Sequence, residues 1–204
     1  VIYNPIGLPK KIIKKKINFF NKFKDLKIIS IGRLTDQKDH FTLIKAMYLI
    51  KKDNIKFKLC LIGQGSNYNK IQNLIIKYKL RNLVKLVGFK KKAYEYINSA
   101  DLFVLTSKYE GLPNVLLEAQ YLGIPIISSD CPTGPKEILI NGKAGTLYKT
   151  GNYHDLSNKI KFFIKDKFHF INQVKFAKKK INRFENNIFL QKYNKILIKN
   201  FNKK

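Results

Sequence analysis

Two glutamates with seven residues between them flank a turn suited to an anion. In the run Ser107-Lys108-Tyr109-Glu110-Gly111-Leu112-Pro113-Asn114-Val115-Leu116-Leu117-Glu118, an apolar stretch ends at Thr106 and Glu110 sits in the loop that follows. Gly111 gives that loop backbone freedom, and Pro113 opens a helical segment. The first amides of a helix have no partner within it and lie at the positive end of its dipole, so Asn114, Val115 and Leu116 offer N–H groups to a phosphate. Glu118 follows one to two turns later. Carboxylates belong beside a phosphate site only if they accept hydrogen bonds from hydroxyl groups and stay clear of the phosphates. A sugar and a ribose joined by a diphosphate meet both needs. The plain alternative is that Glu118 pairs with a lysine and Glu110 faces solvent.

A second turn supplies cations. Gly32-Arg33-Leu34-Thr35-Asp36-Gln37-Lys38 follows another apolar run, and from one loop it offers Arg33 as a planar fork and Lys38 as a mobile point charge. Lysine is everywhere in this chain, but Arg33, Arg81 and Arg183 are the only arginines, which sets Arg33 apart. The Gly63-Gln64-Gly65 turn lets backbone approach a ligand closely. Tyr68 stands where the third glycine of the dinucleotide fingerprint would fall, so a dehydrogenase has little support. Cys60 and Cys131, with His40, His154 and His169, have no metal-ligand or disulfide spacing; Cys60 reads as core and Cys131 as partly exposed after a strand.

The elements that must position these turns alternate along the chain. Short runs rich in Ile, Val, Leu and Phe predict strands at 27–31, 57–62, 84–87, 102–105, 125–128 and near 145–148. Helical periodicity predicts helices at 40–53, 67–78, 92–99, 114–122 and 135–140, and then 154–165, 168–180 and 187–201. Most of the strands lack an in-out alternation, as parallel strands buried on both faces do. The fold class is therefore α/β: a Rossmann-like parallel sheet with helices on both faces, plus C-terminal helices. Ligands of such sheets sit at the carboxyl ends of the strands, where the turns above fall.

The net charge of +28 invites a nucleic-acid partner, but the excess is lysine dispersed along the whole chain, accompanied by much asparagine and isoleucine. Compositional drift accounts for it, and no nucleic acid is expected. Contact with an anionic membrane surface is the second reading, since each lysine near such a surface contributes about 1 kcal/mol. No apolar run approaches the length needed to span a bilayer, so a cytoplasmic protein, peripheral to the membrane at most, is expected. The chain opens on Val1 and reads as part of a longer protein.

Taken together, the motifs resemble a known family. Glu110 to Ala119, followed by Leu122-Gly123-Ile124-Pro125-Ile126-Ile127, resembles the E-x7-E region of family-4 retaining glycosyltransferases of the GT-B type. Gly32-Arg33-Leu34 with Gln37-Lys38, Gly63-Gln64-Gly65, Val87-Gly88-Phe89 and the stretch Asp130-Cys131-Pro132-Thr133-Gly134-Pro135-Lys136-Glu137-Ile138 resemble further motifs in the same order. Tyr3-Asn4-Pro5 resembles the connection that enters the C-terminal half. The resemblance covers about 3–148.

It implies the donor-binding half of a two-domain enzyme, with 1–26 a linker from an N-terminal domain, 27–150 the nucleotide-sugar-binding domain, and 151–204 helices packing back on it. Arg33 and Lys38 match the basic pair that holds the diphosphate, Glu110 the glutamate facing the donor sugar, and Glu118 the one holding ribose hydroxyls. Gly32 and the turn Gly111-Leu112 with the amides of Asn114, Val115 and Leu116 match the phosphate surround, and Phe89 and Lys90 match the region lining the base. The implied reaction transfers a hexose or N-acetylhexosamine with retention, in polysaccharide or glycoconjugate assembly. The glycan or lipid-linked acceptor is held mostly by the other half. The donor is a nucleotide sugar, UDP-linked in the first instance and GDP-linked in the second, with no cofactor and no metal, because cations and helix start neutralise the leaving diphosphate. The alternative is a non-catalytic nucleotide-sugar-binding subunit completed by a separate N-terminal half.

Overall fold

The computed structural model describes residues 17–201. Its six strands are β1 (Leu26–Ile31), β2 (Phe57–Ile62), β3 (Val84–Gly88), β4 (Leu102–Leu105), β5 (Ile126–Ser129) and β6 (Thr146–Tyr148). They form one sheet in the order β3-β2-β1-β4-β5-β6, and every pairing is parallel. The helices are α1 (His40–Lys52), α2 (Tyr68–Lys77), α3 (Tyr94–Ile97), α4 (Asn114–Leu122), α5 (Pro135–Ile138), α6 (Tyr153–Lys165), α7 (Lys167–Lys180) and α8 (Asn186–Phe201).

Both faces of the sheet are buried, which explains the unbroken apolar runs. Ile28, Leu59, Leu61, Leu102, Val104 and Ile127 point into a core closed by Leu43 and Met47 of α1, Ile71 of α2 and Ile160 of α6. Their strand neighbours Ile29, Cys60, Ile62, Phe103, Leu105 and Ile126 point the other way, against Ile97 of α3, Leu116 and Leu117 of α4 and Ile138 of α5. Local signals set several helix ends. The Asn152 side chain accepts from the amides of His154 and Asp155 to start α6, and Asp166 accepts from His169 to start α7. The helix expected at 92–99 shrinks to the single turn of α3, because the Ser99 and Ala100 amides close tight turns onto the Tyr96 and Ile97 carbonyls.

Two expectations need correction. Of the segment read as linker, 1–16 and the Tyr3-Asn4-Pro5 connection lie outside the described residues, but the rest is docked. Ile17 and Phe20 are buried in the second core, and the Lys58 ammonium donates to the Phe19 carbonyl at 2.6 Å while sitting over the Phe19 and Phe23 rings. The apolar residues behind the lysine run drive this packing. Cys131 is buried, not partly exposed, because the loop after β5 folds inward; burial raises its thiol pKa, as it raises that of Cys60 to about 12.

Candidate functional site

The strand order makes a crevice. The chain builds outward from β1 to β3, then returns to lay β4 on the other side of β1, so the loops after β1 and β4 diverge at their carboxyl ends. Those loops carry Gly32 to Asp39 and Thr106 to Pro113, and hydrogen bonds knit them together. The Lys108 amide donates to the Gln37 carbonyl at 2.8 Å, the Gln37 side chain to the Tyr109 carbonyl at 3.1 Å, and the Thr106 hydroxyl to the Lys38 carbonyl at 2.8 Å.

At the centre, the Lys38 ammonium lies 2.5 Å from Glu110 Oε1, with the two side chains 14 % and 7 % exposed. The Ser107 hydroxyl donates to the same oxygen at 2.5 Å, and Ser129 fixes Ser107 by donating to its carbonyl at 2.7 Å. The Thr133 hydroxyl donates to the Glu110 carbonyl. Glu110 is thus a held, largely desolvated carboxylate, not a loop residue in solvent. Its support was missed in the sequence, although Ser107 stands three residues ahead of it, the spacing at which a hydroxyl and a carboxylate meet locally.

Helix α4 starts from the same loop, four residues after Glu110. Pro113 is its N-cap and no side chain caps it. The amides of Asn114 and Val115 have no acceptor among the described residues. The Leu116 amide donates to the Pro113 carbonyl at 2.9 Å and its side chain is core, so two amides are left for a ligand, not the three expected. Gly111 and Leu112 complete the turn, and the following segment leans on it: a Cβ on Gly134, whose φ is +74°, would stand 2.2 Å from the Gly111 carbonyl oxygen. Glu118 is half-buried on the same helix, and helical side chains lean toward the N-terminus, here toward Asn114 and Val115. No lysine pairs with it: its carboxylate has no partner among the described residues, and burial raises its pKa above the ordinary value.

A cleft of about 480 Å³ continues from the cationic loop. Gly32, Arg33, Gly63, Gly65, Phe89 and Lys90 line it. Phe89 is 63 % exposed, a flat apolar ring at the lip that offers a face for stacking. The Arg33 guanidinium donates to the neutral Gln37 side chain at 3.2 Å and has no carboxylate partner among the described residues. The structure therefore gathers Gly32, Arg33, Phe89 and Lys90 around the cleft, with Lys38, Glu110, Gly111, Leu112, Asn114 and Val115 at the loop and helix start.

No motif marks His40, which lies beneath the cationic loop at 2 % exposure, with the Gly32 and Arg33 carbonyls against its ring. Neither ring nitrogen makes a hydrogen bond of ordinary geometry, although the Arg33 and Gly32 carbonyls face the ring and favour the proton slightly. Burial outweighs them, Lys38 adds repulsion, and the pKa falls from 6.5 to about 4. A depressed histidine pKa contributes stability that is present above pH 6.5 and is lost as the pH falls toward 4. Chemical denaturation across this window should show a loss of about 3 kcal/mol, much reduced in His40→Gln. The same loss in the variant would put its origin elsewhere.

Among the described residues, no three His, Cys, Asp or Glu side chains cluster as metal ligands, and no helix is long and apolar enough to cross a membrane. Residues 10–200 match the family described as Glycosyl transferases group 1. The chain belongs to this family. Among group 1 relatives, an uncharacterized glycosyltransferase of Methanocaldococcus jannaschii is 43 % identical over 120 residues, 58 % of this chain and 30 % of the relative. The N-acetylgalactosamine-N,N'-diacetylbacillosaminyl-diphospho-undecaprenol 4-alpha-N-acetylgalactosaminyltransferase of Campylobacter jejuni is 30 % identical over 166 residues, 81 % of this chain and 44 % of that protein. The chain thus spans less than half the length of these relatives. Its fold is that of GT-B glycosyltransferases. The lipopolysaccharide outer core galactosyltransferase WaaB superposes with a TM-score of 0.80 at 26 % identity, over 98 % of this chain and 55 % of WaaB. HepE of Anabaena, solved in complex with UDP, superposes at 0.78 and 23 % identity, over 86 % of this chain and 49 % of HepE.

Proposed function

We propose that this chain is the donor-binding half of a family-4 glycosyltransferase that transfers a hexose or N-acetylhexosamine from a UDP-sugar, with retention, to a growing glycan or lipid-linked acceptor. One observation carries the reading: an α4 start with unspent amides, bracketed by the Lys38–Glu110 pair and by the unpartnered, half-buried carboxylate of Glu118. That arrangement offers positive potential to a diphosphate and acceptor oxygens to hydroxyls on either side of it. Phe89 and the Gly63 to Gly65 turn give the base a place to stack beyond Arg33. When the acceptor hydroxyl attacks the anomeric carbon from the face the diphosphate leaves, the bond to the diphosphate breaks, negative charge grows on the leaving group, and the hydroxyl proton passes to a leaving phosphate oxygen. Arg33, Lys38 and the Asn114 and Val115 amides are placed to stabilise that charge. The UDP complex of HepE, and the surface-polysaccharide and lipid-linked roles in several relatives' names, support the choice of nucleotide and pathway class.

Calorimetric titration of the chain with UDP, GDP and inorganic pyrophosphate at physiological salt tests it. UDP should bind, and Glu118→Ala should weaken UDP by about 1.5 to 3 kcal/mol, the scale of a charge-assisted hydrogen bond, while leaving pyrophosphate nearly unchanged. Tighter binding of GDP would reassign the base. Equal losses for UDP and pyrophosphate would remove the ribose role from Glu118.

A further inference from the structure

The cation best placed to hold a diphosphate already has an anion on it. Lys38 and Glu110 meet at 2.5 Å across two loops, both side chains largely shielded from water, so their attraction is weakly screened. A diphosphate oxygen seeking Lys38 must share or displace that carboxylate. It must also tolerate a second negative charge beside it. Among the described residues the Glu110 carboxylate has one other donor, the Ser107 hydroxyl, and both donors converge on Oε1, leaving Oε2 without a partner. A free nucleoside diphosphate, whose ribose hydroxyls are given to Glu118 in this reading, brings no donor beyond its second phosphate to replace Lys38. A nucleotide sugar does, because the hexose attached to the second phosphate carries hydroxyls that can donate to the released carboxylate.

We propose that Glu110 is an internal competitor for Lys38, weakening the site for free nucleoside diphosphate while leaving it strong for the sugar-bearing donor. The inference rests on the donor-binding reading above and adds to it a means of discrimination. The nucleotide left after transfer is bound less tightly than the substrate that delivered it, because its departing sugar takes away the donors that compensated Glu110. Ser107 and Ser129 are positioning residues in this device, holding the carboxylate where the lysine is.

The test is UDP affinity, measured by calorimetry on the wild-type chain, Glu110→Gln, Lys38→Met and the double variant. Glutamine keeps an oxygen for Ser107 and removes the charge, so Glu110→Gln should bind UDP roughly tenfold more tightly than wild type, equivalent to about 1.4 kcal/mol. In the Lys38→Met background most of that gain should vanish, because no lysine remains to be released. Glu110→Ala, which removes both oxygens, should shift UDP affinity in the same direction, and a thermal melt of each variant reports that it is folded. Unchanged or weaker binding by Glu110→Gln, with wild type binding UDP, would overturn the competitor role alone. So would an equal gain with and without Lys38, which would reduce Glu110 to a source of simple repulsion. No UDP binding by any of the five proteins would overturn the donor-binding reading and the competitor role with it.

Discussion

Gly63→Ala is expected to destabilise the fold by about 3 to 5 kcal/mol, combining overpacking with a strained backbone. Gly63 ends β2 at φ +153°, and a Cβ there would lie 1.9 Å from the Gly32 carbonyl oxygen and 2.9 Å from its carbon. Both atoms are backbone, so no side chain can swing away. The turns are also bonded to each other and to the next strand: the Gly32 amide donates to Ile62, the Leu34 amide to Gln64, and the Gly63 amide to Gly88. Relief of the clash would therefore shift the cationic loop and the cleft floor together. Gly111→Ala is the matching control, since a Cβ there meets nothing within 4 Å, and its stability should stay within about 0.5 kcal/mol of wild type. Urea denaturation of both variants decides the matter. A Gly63→Ala protein within 1 kcal/mol of wild type, on the order of a benign substitution, would mean that the close approach is not held.

That contact shows what the sequence could and could not convey. A glycine at a strand end reads as a turn, and the Gly63-Gln64-Gly65 spacing located one correctly, but not that its backbone presses on another turn 31 residues earlier. Most of the strands were legible because short runs of Ile, Leu, Val and Phe without alternation have few other uses; β2 and β4 match to the residue. Helix α4 was expected at 114–122 and is found there; Pro113 marks its start, and Gly123 closes it at φ +73°. What stayed hidden depends on tertiary approach. Ile17 and Phe20 follow a lysine run that reads as solvated linker, and only the finished sheet offers them a face. Cys131 lies in a loop whose inward path follows from packing. His40 carried no motif, and its low pKa comes chiefly from what covers it, with repulsion from Lys38 added.

The site divides the same way. The glutamates, the basic residues and the helix start were named from local spacing, whereas the pairing of Lys38 with Glu110 joins residues 72 apart and removes the alternative of a solvent-facing Glu110. The support around it is equally non-local. Ser129 comes from the end of β5 and Thr133 from the loop after it, so the carboxylate is fixed by three separate strand ends. Such a constellation stays in place only if the loops are tied to each other, as the Lys108 amide ties to the Gln37 carbonyl and the Thr106 hydroxyl to the Lys38 carbonyl.

The energetic weight of that pairing gives the second large effect. Lys38→Ala should cost about 3 kcal/mol, because breaking a buried ion pair from one side leaves the other charge without compensation. The Glu110 side chain is 7 % exposed, and its carboxylate would keep Ser107 as its only hydrogen-bond donor among the described residues. Removing the charge as well should recover most of the loss: Lys38→Met with Glu110→Gln replaces the pair by neutral groups of similar size, an exchange that is often close to neutral. The double variant is thus expected to be more stable than Lys38→Ala, and the four corners of a Lys38→Met, Glu110→Gln cycle in urea should be strongly non-additive. Additive losses would mean that the two side chains stabilise the fold independently. Non-additivity in stability, together with tighter UDP binding by Glu110→Gln, would instead give one physical cause for both: a single lysine for which two anions compete.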